Sequence, residues 1–183
     1  MGTRRHYLRL SAPELDDLRS RPEEAMDILW QRWVDQHLPA GTNITDPPGE
    51  ARLYDIDKYW VELDVALEQA GIPLDEANGS DHIPPFDPRV TEEFDWEWMD
   101  DIGRRFALGP SYLTVGAVKD LAARLSSVNF DEVFEGVSQE KWDELVLGPA
   151  EHVRDDAIAI SRSVSQFFDA AARAGDAVVS VMR

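Results

Sequence analysis

The chain is 183 residues long, 43% apolar and 30% charged, which suits one globular domain with a real core and excludes a disordered chain. Its 36 acidic residues against 18 basic ones give a net charge of −18, and a polyanion is repelled by DNA, RNA and anionic membranes, so nucleic-acid and membrane partners are not expected. There is no cysteine, which excludes disulfides, zinc–thiolate sites and Cys nucleophiles.

His6-Tyr7-Leu8-Arg9-Leu10 alternates and predicts a strand with one buried face, formed by His6, Leu8 and Leu10. Ser11-Ala12-Pro13-Glu14 has capping-box spacing and starts a short helix through Arg19. Ser20-Arg21-Pro22-Glu23 repeats the signal before a second helix. The stripe of that helix, Met26, Leu29/Trp30 and Trp33/Val34, is read as core rather than as a ligand platform. Pro39 to Gly49 is a loop.

Leu53 to Leu67 reads as an extended lead-in followed by an amphipathic helix over 58–69. Asp55 or Asp57 serves as N-cap, and Trp60, Leu63 and Leu67 fall on the apolar face while Glu62 and Asp64 keep to the other. The alternative makes Asp57 and Trp60, with His82, the lining of a pocket. Gly71 sits where a left-handed residue would end this helix.

Leu74 to Pro88 is irregular, with Asn78-Gly79 and Pro84-Pro85. The next run, Thr91 to Asp101, packs six carboxylates among three aromatics. Asp95, Trp96, Glu97, Trp98 and Asp100 are the candidate partner-binding residues, because contact surfaces favour variable loops and Trp. The competing reading has the aromatics fasten an insertion while the acids face water.

A broken strand is expected over Phe106–Leu113, and Thr114 caps a helix with Val118, Leu121 and Leu125 as its stripe. One or two short helices fall between Asn129 and Gly148. The longest helix runs from about Glu151 to Ala174, its stripe carrying Ala157, Ile160, Val164 and Phe167/Phe168, with Gly175 at its end. Ala177 to Met182 is a closing β-branched strand. The expected fold is α+β: a single domain over 1–183, with a small mixed sheet that includes the N- and C-terminal strands and is packed by amphipathic helices.

Four blocks resemble the YfbM-like family of bacterial proteins: Tyr7-Leu8-Arg9-Leu10-Ser11-x-x-Glu14; Leu53-x-Asp55-Ile56-Asp57-Lys58-x-Trp60; Gly109-Pro110-x-Tyr112-Leu113-Thr114; and Phe168-x-x-Ala171-Ala172-x-x-Gly175-x-Ala177-Val178. They occur in the family's order and span nearly the whole chain. The chain departs from the family at Val115-Gly116-Ala117, where Pro-Glu-Glu is usual, and over residues 74 to 101. The resemblance implies an α+β fold and no assigned activity. Because some members look to be encoded beside toxin systems, it also suggests an immunity-like or inhibitory role.

Catalytic signatures are lacking. There is no phosphate loop and no Gly-x-Ser-x-Gly elbow, and His6, His37, His82 and His152 have no metal-binding spacing. No cofactor or metal is expected. The reading is a cytoplasmic protein-binding module for a basic partner; the alternative is a small enzyme with its site near the helix at 58–69 and the 74–101 segment.

Overall fold

The computed structural model describes residues 4–35, 51–56, 59–73, 77, 79, 81–83, 110–145 and 150–182. Five strands form one sheet: β1 (Arg5–Leu10), β2 (Leu53–Asp55), β3 (Asp81–His82), β4 (Ser111–Leu113) and β5 (Ala177–Met182), in the order β2-β1-β5-β4-β3. Each pairing among them is antiparallel, where a mixed sheet was expected. The helices are α1 (Ala12–Ser20), α2 (Ala25–Asp35), α3 (Trp60–Gln69), α4 (Val115–Leu125), α5 (Phe130–Glu135), α6 (Gln139–Leu145) and α7 (Ala150–Ala174). The fold is therefore α+β. No helix among the described residues is long and apolar enough to cross a membrane.

Helices cover both faces of the sheet. On one face Tyr7, Tyr54, Leu113 and Val178 meet the apolar stripes of α3 to α7, with Leu63, Val118, Phe134, Trp142, Val164 and Phe168 at the contact. On the other, Leu8, Leu10, Leu53 and Val179 meet Leu15 and Leu18 of α1 and Ala25 and Leu29 of α2. Hence β1 is buried along its whole length, not on one face only. Alternation told the two faces of β1 apart, but Tyr7 and the stems of Arg5 and Arg9 are large enough to line a second core.

Several termini form as the sequence predicts. Glu14 accepts from the Ser11 N–H and Oγ, both at 2.7 Å, and also from Arg32 and Arg52 at 2.7 Å each. Partial burial pushes the Glu14 carboxyl up, but the bonds from Arg32, Ser11 and Arg52 outweigh it and hold the group well below the usual carboxylate range. Thr114 Oγ1 accepts from the Ala117 N–H, so α4 keeps its cap despite Val115-Gly116. Gly71 and Gly175 are left-handed, and the next N–H reaches back to Leu67 and Ala171 in turn, the closing bond of a Schellman motif.

Other expectations are corrected. Ser20 ends α1, its Oγ donating to the Asp17 carbonyl, and a 3₁₀ turn at Pro22–Glu24 leads into α2. Asp55 is not the N-cap residue of α3: it is the last residue of β2, opposite His6, and α3 starts at Trp60 with Tyr59 at the N-cap position. The chain read as irregular after Leu74 contains β3, and the expected strand at Phe106–Leu113 is described only at β4. Gly79 lies so close to β4 that a Cβ there would run into the Tyr112 main chain.

Candidate functional site

The site follows from how α2 sits on the sheet. Cross-strand pairing of Leu8 with Leu53, and of His6 with both Asp55 and Val181, sets these side chains on the α2 face. Helix α2 buries Ala25 and Leu29 there, and these positions centre its stripe a little to one side of the predicted one. Met26 and Trp30, one turn apart, are left 40% and 43% exposed. The expectation that Trp30 and Met26 are core is thus corrected; Trp33 and Val34 side chains lie outside the described residues. Periodicity gives the spacing of a stripe, while the width of the surface beneath decides which edge of it is covered.

Beside that edge is an open apolar groove, walled by His6, Leu8, Leu53 and Val181 from the sheet and by Met26, Leu29 and Trp30 from α2. It encloses about 440 Å³ including the solvent at its mouth. Glu23 and Asp27 are exposed on the same helical segment, three residues before Met26 and Trp30 respectively. Among the described residues His6 is the one titratable residue in the wall, and its Nδ1 lies 3.6 Å from Asp55 Oδ1. The other Asp55 oxygen is 3.5 Å from Arg4 Nη1.

A polar cluster lies on the opposite face. Arg5 grips Asp64 with two bonds of 2.6 and 3.0 Å and stacks over the Trp60 ring at 5.4 Å. Arg9, farther along the same face of β1, pairs with Asp176 at 2.8 Å. Glu62 and Asp64 are buried, contrary to the expectation that they face water. Sequence reasoning missed Arg5 and Asp64 because a pair 59 residues apart leaves no local signal. Both Asp64 oxygens face a guanidinium that stays charged, so this carboxylate fastens α3 to β1 and is poorly placed to accept a substrate proton.

Trp60 and His82 are placed apart. Trp60 is buried against Arg5 beside β1, whereas His82 is half-buried on β3, with β5 and β4 between the two strands. His82 ends a row of directly paired residues, Tyr54–Tyr7–Ser180–Ser111–His82, that crosses all five strands. Asp57, Asp95, Trp96, Glu97, Trp98 and Asp100 lie outside the described residues. Among the described residues no group of three or more His, Asp and Glu could hold a metal ion.

Comparison with known proteins agrees with this architecture. The model of a domain of unknown function, DUF1877, matches residues 1–181. The chain belongs to the DUF1877 family. A solved relative in fold is YfbM from Escherichia coli, a protein of unknown function, with a TM-score of 0.57 at 15% identity, covering 98% of this chain and 99% of that one. At that identity the likeness concerns the fold, and it agrees with the family resemblance carried by the four sequence blocks. No curated protein matches this DUF1877 chain.

Proposed function

We propose that this DUF1877 protein is a protein-binding module whose α2 groove receives an apolar side chain from a basic partner. The observation that carries the reading is the exposure of Met26 and Trp30 at the mouth of an apolar groove. Large apolar side chains left in water beside a concavity are a common form of contact surface, and Trp and Met are favoured there. Covering either one yields about 1.5–3 kcal/mol if burial is complete. Glu23 and Asp27 near this edge, and the net charge of −18, favour a cationic partner over a second copy of the same acidic chain. An immunity-like or inhibitory role towards a basic protein is the finer form of the proposal.

The test uses defined probes. A short amphipathic peptide of leucine and lysine is titrated against the labelled protein and followed by NMR, beside a serine–lysine peptide of equal charge. The leucine peptide should bind at least about tenfold more tightly and shift the Met26 methyl and Trp30 indole signals, because the apolar contact adds to a charge term common to both. Equal affinity for the two peptides, or shifts that avoid α2, β1 and β2, would overturn the reading.

A further inference from the structure

Among the described residues the groove is apolar except at one place. His6 is only 5% exposed, yet it stands in the wall beside Leu8 and opposite Val181, and a histidine is the side chain whose ordinary titration falls between about pH 5 and 8. Two charged groups among the described residues stand near it. Asp55 on β2 places a carboxylate oxygen 3.6 Å from Nδ1, and Arg4, just before β1, holds the other oxygen of that carboxylate at 3.5 Å. The groove residues contributed by α2 and β5, namely Met26, Leu29, Trp30 and Val181, bring no charge.

We infer that His6 makes the groove proton-linked: neutral His6 leaves the wall receptive to a cationic apolar partner, and protonated His6 closes it. This rests on the reading of the groove as a partner site. In the neutral form the imidazole adds an uncharged surface to the apolar wall. On protonation the Asp55 carboxylate stands as counter-ion to the imidazolium, against the cost of burying that charge. A cation in the wall raises the cost of seating an apolar side chain against it, and a lysine-rich partner meets a like charge beside the groove. Linkage makes the effect reciprocal, so an occupied groove resists protonation of His6.

Two measurements decide it. The first needs no partner: the His6 imidazole is followed by NMR from pH 8 to about 5, and its titration should move the Met26 methyl and Trp30 indole signals with it. An imidazole that does not titrate in that range, or that titrates without disturbing those two groups, overturns the inference. In the second, the leucine–lysine peptide is titrated at both ends of the range against wild type and His6→Gln. Wild-type affinity should fall about tenfold on acidification and the variant's should stay level, the other three histidines being common to both. PH-independent binding by wild type, or a drop that survives in His6→Gln, refutes the proton link while leaving the groove as a contact site. Absence of binding at either pH refutes the contact site itself, and the imidazole titration still tests the link between His6 and the groove.

Discussion

The two faces of the sheet are covered to different degrees. On the α3–α7 side, a 25-residue helix and four shorter ones close over Tyr7, Tyr54 and Val178, and the aromatic rings of Tyr7, Phe167 and Phe168 meet with centroids 5.3 to 6.2 Å apart. On the α1–α2 side, two helices of 9 and 11 residues cover the same strands and leave the groove along one flank of α2. One face buries the ion pair Arg5–Asp64 and serines such as Ser161 and Ser163, while the other keeps the large apolar side chains of Met26 and Trp30 partly in water. The contrast separates a face organised for stability from a face with unsatisfied apolar surface, and that difference supports the functional reading.

Substitutions can break or sharpen this contrast. The largest effects belong to the closed face. Phe168→Ala should cost about 3–5 kcal/mol in urea melts, since the ring touches two other aromatic rings in a core that cannot fully collapse. A loss below about 1 kcal/mol would show that this face is loosely packed. Asp64→Asn should cost a similar amount, about 3–5 kcal/mol, by leaving the Arg5 guanidinium buried without its counter-charge. Replacing Arg5 and Asp64 together by apolar residues of like volume should recover most of that loss, and thermal melts of the single and double variants read out the difference.

An intermediate effect is expected at the α1–α2 junction. The Glu14 carboxyl is held below its usual range in the folded state, so its contribution is present above the unfolded value of about 4.3 and is lost as pH falls from there. Glu14→Gln should cost roughly 1–3 kcal/mol at neutral pH. The gap in melting temperature between this variant and wild type should begin to narrow below about pH 4 and close only in strong acid, where Glu14 is protonated in the folded state as well; a gap that stays constant throughout would mean the bonds from Arg32 and Arg52 are not what stabilises the ionised group. The smallest effect belongs to the open edge. Met26→Ser should change stability by less than about 0.5 kcal/mol while weakening the leucine–lysine peptide. A large loss in urea melts would mean that Met26 is core after all.

Much of the scaffold was legible in the sequence because its signals are local. The Ser11/Glu14 and Thr114 caps, the left-handed Gly71 and Gly175, the stripe of α7 and the alternation of β1 depend on residues a few positions apart. What stayed hidden depends on which surfaces meet. Asp55 looked like a cap because a carboxylate before a helix has that spacing, but pairing with β1 extends the strand through it. Met26 and Trp30 share a stripe with Leu29, and only the seating of α2 on the sheet shows that the two lie at its uncovered edge. Likewise His6 entered the sequence reading as an ordinary inward residue of β1. Its nearness to Asp55 and the groove requires the β1–β2 register.

The ladder between β1 and β5 also bears on how the chain comes to fold. These strands pair over six residues, from Arg5 with Met182 to Leu10 with Ala177, and β1 lies between β2 and β5 in the sheet. A nascent chain emerging from the ribosome therefore has β1 in solution long before its longest partner has been made, and contacts this distant in sequence are closed late and slowly. Until then the inner edge of β1 is an unpaired apolar template, open to chaperones or to the β1 of a neighbouring nascent chain. Chains stalled before Ala177 should be cut readily by protease across β1 and become protected once β5 is exposed; protection before that point would mean that α1 and α2 already hold the strand.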